Sequence, residues 1–492
     1  MRLGREYKKM LSLLLEAVHK HWRKKTDSAL IRKAFIASHD AHFGQFRKST
    51  EPYFYHPYEV ARTAAEYGCD SKTIAGCLLH DCLEDTLLTE KELRKKFGKD
   101  IASIVVGLTK FAVHERMRRD ERQREYLRRA IEFSVRDPRV VIIKLFDKLH
   151  NSRTAMFLEK KKRLAFVREV WQRYVPLAHR LGIHKLKYEL EDAVLDILKP
   201  KEFPELRKKI MRLRREKSIE IKKMISALKP KLKGFEFRLY WKGFGTIYTK
   251  VFAGKKEVSR IYDSEILLVL ANSEADCYRA LGVIHSVYNP LPFKFKDFIA
   301  IPEFGIYRSL HTVVVGPSGK PVKVYIRTNE MNVVAQRGII ALLESGGKSA
   351  KELLNGKINW MKSVLEENEE DFSERIGMDN NSQRVFIFSP KGEAVNLLSG
   401  STALDYAYQI HSDLGRRAIG AKVNGKSFPL KKRLPNACTV KIIVSAKAKP
   451  KPEMLSWAIT PKAKREIRGA LEARGKKAIP VSNPKSSKWK RI

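Results

Sequence analysis

Four polar side chains in the stretch GCLLHDCLEDT, residues 76–86, are of types that can perform acid–base or metal chemistry: His80, Asp81, Glu84 and Asp85. In a helix, residues four apart share a face, so these groups would form one polar stripe flanked by leucines and a cysteine. Such a stripe can be the solvated face of an ordinary helix. Because acidic groups among apolar residues are costly unless they are paired or bind a metal, the pattern favours a functional site.

Two residues elsewhere in the chain extend this set. His56 stands in EPYFYHPYEVA, just before a predicted helix, and Asp147 stands in IIKLFDKLHNSRT, on a later one. Together with His80 and Asp81 they provide two imidazoles and two carboxylates, which can enclose one divalent ion and leave positions open for water and substrate. Ligation by nitrogen and oxygen without sulfur suits Mn, Fe, Zn or Mg, and the sequence alone does not choose among them.

The elements that must position these residues follow from the apolar pattern. Residues 1–195 repeat apolar side chains at spacings of three and four, as in YEVARTAAEYG, which predicts an all-α domain. Residues 235–324 alternate β-branched runs with helical segments, which predicts an α+β domain. Residues 335–380 predict a helical connector, and 384–444 predict a small β-rich unit. The chain from residue 447 onward is basic and punctuated by prolines, and we expect a tail with one helix in PKAKREIRGALEAR.

The overall composition limits the class of protein. A chain of 492 residues suits two to four domains. Its net charge of +43 predicts attraction to polyanions such as RNA, DNA or an anionic membrane. Five cysteines without a CxxC motif argue against a disulfide framework or a structural zinc site. No signal peptide and no apolar run of about 18 residues is visible, so we expect a cytoplasmic protein without a membrane span.

Several segments resemble one known family. RKSTEPYFYHP, LLHDCLEDT, FGKDIASIVVGLTK, KLFDKLHNSRT and YVPLAHRLGIHKLKYELED occur in this order and are similar to the hydrolase domain of RelA/SpoT homologues, which make and degrade the stringent-response alarmone (p)ppGpp. The H…HD…D pattern is that of HD-superfamily phosphohydrolases. The resemblance implies that Mn²⁺ is held by four residues: His56, His80, Asp81 and Asp147.

The same resemblance implies roles for neighbouring side chains. Glu84 and Asp85 match the pair that positions or activates the attacking water. Residues near the guanine and phosphates of the nucleotide would be Arg47, Lys48, Asn151 and Thr154, with Arg153 beside them. We therefore expect a (p)ppGpp 3′-pyrophosphohydrolase.

Residues 235–345 resemble the family's synthetase domain, which transfers pyrophosphate from ATP to GDP or GTP. The frame is retained in YDSEILLVL and in YRSLHTVVVGPSGKPVKVYIRT. Positions that match or replace the family's active residues are Leu239, Tyr240, Lys242, Lys250, Asp263, Leu268, Lys296, Gly305, Tyr307, His311 and Lys323. Among these, Lys323 replaces the catalytic glutamate and Leu268 replaces an arginine.

These replacements predict an inactive synthetase. Phosphoryl transfer needs a metal, charge stabilisation and a base. A lysine at position 323 reverses the charge beside the ion, and Leu268 cannot mimic a bidentate phosphate donor. We expect a domain that binds nucleotide or regulates the hydrolase. A bifunctional synthetase and hydrolase is the alternative, and an RNA- or ribosome-binding regulator is a further one.

The region VFIFSPKGEAVNLL to VKIIVSA resembles a TGS domain, a β-grasp module that contacts tRNA on the ribosome in long RelA/SpoT homologues. His411 would be its RNA contact, although a protein-contact role is an equal alternative. The predicted fold is multidomain: an all-α HD-superfamily domain, an α+β nucleotidyltransferase-like domain and a β-grasp TGS domain. The predicted boundaries are 1–200 for the hydrolase, 201–345 for the synthetase-like domain, 346–383 for a helical linker, 384–446 for the TGS domain and 447–492 for the basic tail.

Overall fold

The computed structural model describes residues 4–20, 27–109, 119–254, 265–302, 306–345, 348–365, 384–390, 394–398, 400–435 and 438–472. The chain divides into two compact units, Met1–Ile376 and Gly377–Ile492. Within the described ranges, no helix is long and apolar enough to cross a membrane.

The first unit begins with a bundle of helices. They are α1 Arg5–His19, α2 Ser28–Ala41, α3 Tyr55–Glu66, α4 Ser71–Leu79, α5 Cys82–Asp85, α6 Glu90–Leu108, α7 Arg119–Arg136, α8 Arg139–Arg153, α9 Lys160–Glu169, α10 Val175–Arg180 and α11 His184–Leu198. A 3₁₀ turn spans Ala155–Phe157, and a π-helical turn, Val170–Tyr174, joins α9 to α10. The predicted all-α domain is confirmed.

Local sequence signals explain where these helices begin. The side chains of Asp27 and Asp70 accept hydrogen bonds from backbone N–H groups in the first turns of α2 and α4. Thr89 and Glu92 form a reciprocal capping box at α6. The apolar faces of the bundle then pack into one shared core that includes Phe35, Leu78, Phe146 and Leu190 among others.

The stretch GCLLHDCLEDT is not one continuous helix. Helix α4 ends at Leu79, and the short α5 begins at Cys82. Between them Asp81 has φ −95° and ψ −6°, which departs from regular α-helical geometry and interrupts the helix. The predicted metal ligands His80 and Asp81 therefore lie at a junction between two helices rather than within a polar stripe of one helix.

The α+β part of the first unit contains one mixed sheet. Its elements are α12 Glu202–Leu228, β1 Glu236–Trp241, α13 Phe244–Gly254, β2 Glu265–Ala271, α14 Glu274–Val287, β3 Lys296–Asp297, β4 Leu310–Val315 and β5 Pro321–Thr328. The strand order is β1-β2-β5-β4-β3, with β2 and β5 parallel and the other pairs antiparallel. One sheet face packs on α12 and α14 through Leu267, Val324 and Ile326.

Three further helices return to the bundle: α15 Asn329–Arg337, α16 Ile339–Ser345 and α17 Lys348–Leu365. Arg337 donates a hydrogen bond of 2.7 Å to the carbonyl of Gly68, and Lys357 donates one of 2.7 Å to the carbonyl of Arg180. Met361 is buried in the bundle core. The described part of the predicted linker is therefore helical, as expected. It packs against the helical domain because the helix is amphipathic and buries its apolar face there.

The second unit is a β-grasp fold. Its elements are β6 Arg384–Phe388, β7 Ala394–Leu398, α18 Ala403–Ile410, α19 Ser412–Arg416, β8 Ala418–Val423, β9 Lys426–Phe428, β10 Cys438–Val444, α20 Met454–Trp457 and α21 Pro461–Glu472. The strand order is β7-β6-β10-β8-β9, and β6 pairs with β10 in parallel. Helix α18 packs on this sheet, as the predicted TGS fold requires.

The segment after residue 446 contains the helix expected in PKAKREIRGALEAR, which is α21, but this helix belongs to the β-grasp unit and not to a tail. Helices α20 and α21 share the core of the β-grasp unit, through Leu455, Ala463, Ile467 and Leu471. The spacing of four between the last three residues gives α21 one apolar face, which is buried instead of exposed in a tail. The remaining predicted tail, residues 473–492 with Trp489, lies outside the described residues.

Candidate metal centre

Three parts of the helical bundle bring the predicted metal ligands together. His56 lies in the first turn of α3, His80 and Asp81 lie at the junction of α4 and α5, and Asp147 lies in α8. The close approach of α4 to α8 depends on Gly76, since a Cβ atom there would stand 2.7 Å from Cδ1 of Ile143.

The four side chains are in mutual contact. Nε2 of His56 lies 3.3 Å from Oδ1 of Asp147 and 3.4 Å from Oδ2 of Asp81. Nε2 of His80 lies 3.1 Å from Oδ1 of Asp81 and 3.9 Å from Oδ1 of Asp147. His56, His80 and Asp147 can each offer one ligand atom, and these atoms lie within 4.8 Å of one another. Asp81 contacts the two imidazoles through different oxygens, so it bridges the two histidines.

The hydrogen bonding of the histidines fits a bound cation. Nδ1 of His80 lies 2.7 Å from the carbonyl oxygen of Cys77, which can only accept, so Nδ1 carries a proton and Nε2 is the atom that can bind a metal ion. Nε2 is buried and forms no hydrogen bond within the described part of the chain, even though Asp81 is close. Two imidazole lone pairs and two carboxylates form a donor set suited to a divalent ion.

The electrostatics of the site also favour a cation. Burial opposes ionisation of Asp147, but the ammonium of Lys144, 3.6 Å away, and the two histidines hold the pKa of Asp147 well below its usual value. The pKa of Asp81 is lowered because His80 and His56 outweigh the effect of burial. Burial lowers the pKa of His80, yet the two carboxylates raise it to about 9, so Nε2 also carries a proton at neutral pH until a cation displaces it. Both acids are therefore ionised at neutral pH.

A chain of hydrogen bonds runs outward from Asp147. Nδ2 of Asn151, one helical turn later in α8, donates to Oδ1 of Asp147 at 2.5 Å. The guanidinium of Arg47 donates to Oδ1 of Asn151 at 2.7 Å and lies 3.3 Å from Nδ1 of His150. Arg47 and Asn151, both predicted to contact substrate, are thus tied to a predicted metal ligand.

Two residues at this site were missed by the sequence analysis. His150 contacts His56 through their Nδ1 atoms, 2.8 Å apart. The hydroxyl of Tyr53 lies 2.6 Å from Oδ2 of Asp85 and 3.1 Å from Oδ2 of Asp81, and shares its one proton between them. Burial and the two carboxylates raise the pKa of Tyr53, so it stays a donor. The sequence signal that could have identified these two residues is their spacing. Tyr53 lies three positions before His56, and His150 lies three positions after Asp147.

The other residues predicted near the substrate have varied surroundings. Glu84 is half-buried, and Lys48 is exposed. Arg153 is exposed and forms a salt bridge of 2.6 Å to Glu189. The hydroxyl of Thr154 donates to the carbonyl of His150 at 3.2 Å.

The residues predicted at the synthetase site lie on and around the face of the mixed sheet opposite to the one that packs on α12 and α14. The hydroxyl of Tyr307 and Nε2 of His311 are hydrogen-bonded at 2.8 Å, and the ring of His311 stacks on Tyr325 at 3.7 Å between centroids. Lys323 is half-buried beside Tyr325, and Leu268 is buried in the opposite strand. Lys296 pairs with His311 in the sheet, and Lys242 follows β1. Asp263 and Gly305 lie outside the described residues, as does the side chain of Lys250.

In the second unit, His411 is exposed at the start of α19, where its Nδ1 accepts a hydrogen bond of 3.2 Å from the backbone of Asp413. On the same unit a groove of about 750 Å³ is lined by four lysines and the half-buried Trp457. The lysines are Lys431, Lys447, Lys449 and Lys451.

Comparison with known proteins assigns each region to a family model. The HD domain model matches residues 34–184, the model described as a region found in RelA / SpoT proteins matches residues 240–344, and the TGS domain model matches residues 385–444. The three predicted domain types are confirmed.

Several relatives each match about nine tenths of the chain. A GTP pyrophosphokinase of Myxococcus xanthus is 37% identical over 91% of this chain and 61% of its own length. The bifunctional (p)ppGpp synthase/hydrolase SpoT of Escherichia coli K12 is 36% identical over 90% and 64%. The guanosine-3′,5′-bis(diphosphate) 3′-pyrophosphohydrolase of Haemophilus influenzae is 37% identical over 89% and 67%. The chain spans about three fifths to two thirds of these relatives, and it belongs to the RelA/SpoT homologue family.

Proposed function

We propose that the chain is a Mn²⁺-dependent hydrolase that releases pyrophosphate from the 3′ position of (p)ppGpp. The single observation that carries this proposal is the convergence of His56, His80, Asp81 and Asp147 around one point, with Nε2 of His80 directed at the carboxylates. A relative named as a 3′-pyrophosphohydrolase supports the choice of substrate.

The surrounding residues fit the requirements of phosphate ester hydrolysis. When bound, the metal lowers the pKa of a coordinated water and offsets negative charge on the pyrophosphate. Glu84 and Asp85 lie one turn beyond Asp81 in α5, and they are positioned to accept a proton from an attacking water. Tyr53 holds the carboxylate of Asp85 by a hydrogen bond of 2.6 Å. Arg47, held by Asn151, supplies a cationic donor for substrate phosphate.

The proposal is tested by incubating the purified full chain with ppGpp and Mn²⁺, with and without a chelator, and by measuring released pyrophosphate. Asp81→Ala should lose both bound metal and activity. Glu84→Gln should keep the metal but lose roughly 10² to 10⁴ in turnover, the usual effect of removing a general base. A metal-loaded protein that leaves ppGpp intact would overturn the function, and an active Glu84→Gln would overturn the assigned base.

We also infer that the synthetase-like domain transfers no pyrophosphate. Lys323 introduces a positive charge where the family has an acid, and the ring of Tyr325 stacks on His311 at 3.7 Å. His311 and Tyr307 are hydrogen-bonded to each other. A bifunctional enzyme is the alternative, because one relative is named a GTP pyrophosphokinase and another a bifunctional (p)ppGpp synthase/hydrolase.

A second candidate function is RNA binding by the β-grasp unit. It is favoured by the lysine groove with Trp457, because lysines attract phosphates and an aromatic ring can stack on a base. The test measures binding of the full chain to tRNA and to ribosomes across salt concentrations. Replacing Lys447, Lys449 and Lys451 by glutamine should weaken binding and flatten the salt dependence, since each phosphate contact contributes to that slope.

His411 separates a specific reader from a nonspecific basic surface. His411→Ala should weaken tRNA or ribosome binding while leaving binding to an unrelated RNA unchanged. If His411→Ala binds tRNA, ribosomes and the unrelated RNA as the wild type does, His411 is not an RNA contact. Absence of any RNA binding at low salt would remove the second function altogether.

A further inference from the structure

The exposed side of helix α12 carries a line of basic side chains. Positions 208, 212, 215, 219 and 222 are separated alternately by four and by three residues, so they follow one line along the helix. Basic residues occupy all of these positions except 219, and lysines at 209 and 223 adjoin the line. We call the six exposed basic residues the basic ridge: Lys208, Lys209, Arg212, Arg215, Lys222 and Lys223.

The opposite side of α12 is buried along the length of the helix. Near its start, Phe203 and Ile210 pack in a small core with Ile247 of α13. Near its end, Met224 and Leu228 pack in the core of the mixed sheet. The helix is therefore held at both ends. The ridge, which spans about 22 Å at about 1.5 Å per residue, keeps one fixed orientation on the surface of the first unit.

The basic residues of α12 differ in whether they have an anionic partner. Two half-buried ones are paired: Arg207 lies 3.1 Å from Asp196, and Lys217 lies 2.7 Å from Glu265. None of the six ridge residues forms an ion pair with a carboxylate in the part of the chain that the structure describes. Glu216 is the one exposed acid between positions 208 and 223, all of which are described. The ridge is therefore a strongly positive surface that attracts a polyanion.

The apolar residues of α12 argue against a membrane as that polyanion. A helix that binds the surface of a bilayer inserts its apolar face among the lipids. In α12 this face is already buried in the protein. Two large apolar side chains project from the exposed side, Met211 and Ile219, which are 45% and 60% exposed. The ridge can therefore contact phosphate groups but has too little apolar surface to insert.

We propose that the basic ridge binds the phosphate backbone of double-helical RNA. Lysine and arginine side chains bind backbone phosphates whatever the base sequence. Because α12 is packed on one side, it presents only a shallow face and cannot enter the major groove of B-DNA, which is about 8.5 Å deep. The minor groove of an A-form RNA helix is wide and shallow, so it can accept such a face. This surface depends neither on the proposed hydrolase activity nor on the lysine groove of the β-grasp unit.

The experiment measures binding by fluorescence anisotropy with the full chain, in which Lys447, Lys449 and Lys451 are replaced by glutamine so that the lysine groove contributes little. The probe is a short labelled RNA duplex, titrated at salt concentrations between about 50 and 200 mM. A DNA duplex of the same sequence and vesicles of phosphatidylserine with phosphatidylcholine are the competing polyanions. We expect the RNA duplex to bind more tightly than the DNA duplex, with an affinity that falls steeply as salt rises.

A pair of substitutions in the ridge makes the test specific. Replacing Lys222 and Lys223 by glutamine removes two phosphate contacts, so the affinity for the RNA duplex should fall roughly tenfold or more, and the slope of log affinity against log salt should become shallower by about 2. Replacing Lys95 and Lys96 by glutamine is the matched control. These two lysines are also adjacent, exposed and within a helix, α6, and their loss should leave affinity and slope unchanged.

Three outcomes would overturn the proposal. The first is that the protein with an intact ridge does not bind the RNA duplex even at low salt. The second is that the ridge variant and its control bind the RNA duplex with the same affinity and the same salt dependence. The third is that the ridge variant loses affinity for the DNA duplex or for the vesicles but not for the RNA duplex.

Discussion

The imidazoles of His56 and His150 face each other with their Nδ1 atoms 2.8 Å apart. One of the two atoms must donate and the other accept. Arg47, which can only donate, also lies 3.3 Å from Nδ1 of His150, so His150 is the acceptor. Burial, then the charges of His56 and Arg47, lowers the pKa of His150 to about 3 and keeps it neutral. His56 is thereby held as the tautomer that presents Nε2 to Asp81 and Asp147.

The first prediction follows from this contact. His150→Phe keeps a planar ring but removes the acceptor, so the tautomer and orientation of His56 are no longer fixed. Loss of such an outer hydrogen bond typically costs about 10- to 100-fold in metal affinity. Equilibrium dialysis of the metal-free protein against Mn²⁺ measures the change. His285→Phe, a half-buried histidine of α14 far along the chain, is the control, and an unchanged Mn²⁺ affinity in His150→Phe would contradict the assigned role.

The second prediction concerns the hydroxyl of Tyr53. Tyr53→Phe retains the ring, which stacks on His42 at 4.7 Å, but removes the donor shared by Asp81 and Asp85. A hydrogen bond to a charged group contributes about 1.5–3 kcal/mol, so turnover of ppGpp should fall roughly 10- to 100-fold. Metal content should change little, because both imidazoles and both carboxylates remain.

Tyr55→Phe is the matched control for Tyr53→Phe. Tyr55 lies two residues away, and its hydroxyl also donates to a carboxylate, that of Glu6. Turnover of Tyr55→Phe should match the wild type. An equal loss in both variants would point to a general effect on the fold and not to the positioning of Asp85.

The third prediction is that ATP yields no ppGpp with GDP and no pppGpp with GTP. The measurement uses Asp81→Ala protein, so that hydrolysis cannot hide synthesis, and follows transfer of radiolabelled phosphate. Lys323→Glu in the same background should not restore synthesis, because Leu268 still replaces an arginine and Gly305 an asparagine. Product above background in Asp81→Ala alone would establish a bifunctional enzyme.

The fourth prediction tests the packing of α16 against the helical domain. Gly338 has φ 52°, and a Cβ atom there would lie 2.4 Å from the carbonyl oxygen of Leu181. The neighbouring Ile339 donates its N–H to the same oxygen at 3.0 Å. Because backbone atoms cannot give way, Gly338→Ala should lower the free energy of unfolding of this unit by about 2–4 kcal/mol. Urea denaturation followed by circular dichroism measures this. Gly356→Ala, where no atom lies within 4 Å, should be neutral or slightly stabilising.

The fifth prediction tests whether α20 and α21 belong to the β-grasp unit. The buried carboxylate of Asp405 accepts hydrogen bonds from the backbone of Thr460 at 2.7 Å and of Ile459 at 3.0 Å. Asp405→Ala leaves these donors unsatisfied, so α21 should detach and be cut rapidly by trypsin at its lysines and arginines. Asp413→Ala removes an exposed carboxylate of the same unit and should leave the cleavage pattern unchanged. Equal protection of α21 in both variants would show that Asp405 does not hold it.

The amino-acid sequence by itself determined the types of domain and the candidate ligands. The spacing of apolar residues distinguishes the helical bundle from the sheet domains. Helices repeat them every three or four residues and strands alternate them, because each element must bury one face. His56, His80, Asp81 and Asp147 could be named because a metal site requires particular donor atoms, which the side-chain types reveal directly.

Only the tertiary structure decided which residues meet. The contact of His56 with His150 spans 94 residues, and that of Arg47 with Asn151 spans 104, so both depend on how helices cross. Burial of α21 likewise depends on a distant partner, Asp405. The sequence records a net charge of +43 but not its distribution. Strand register alone places Lys296, His311 and the basic residues of β5 on one face, because pairing between strands is a property of the folded sheet.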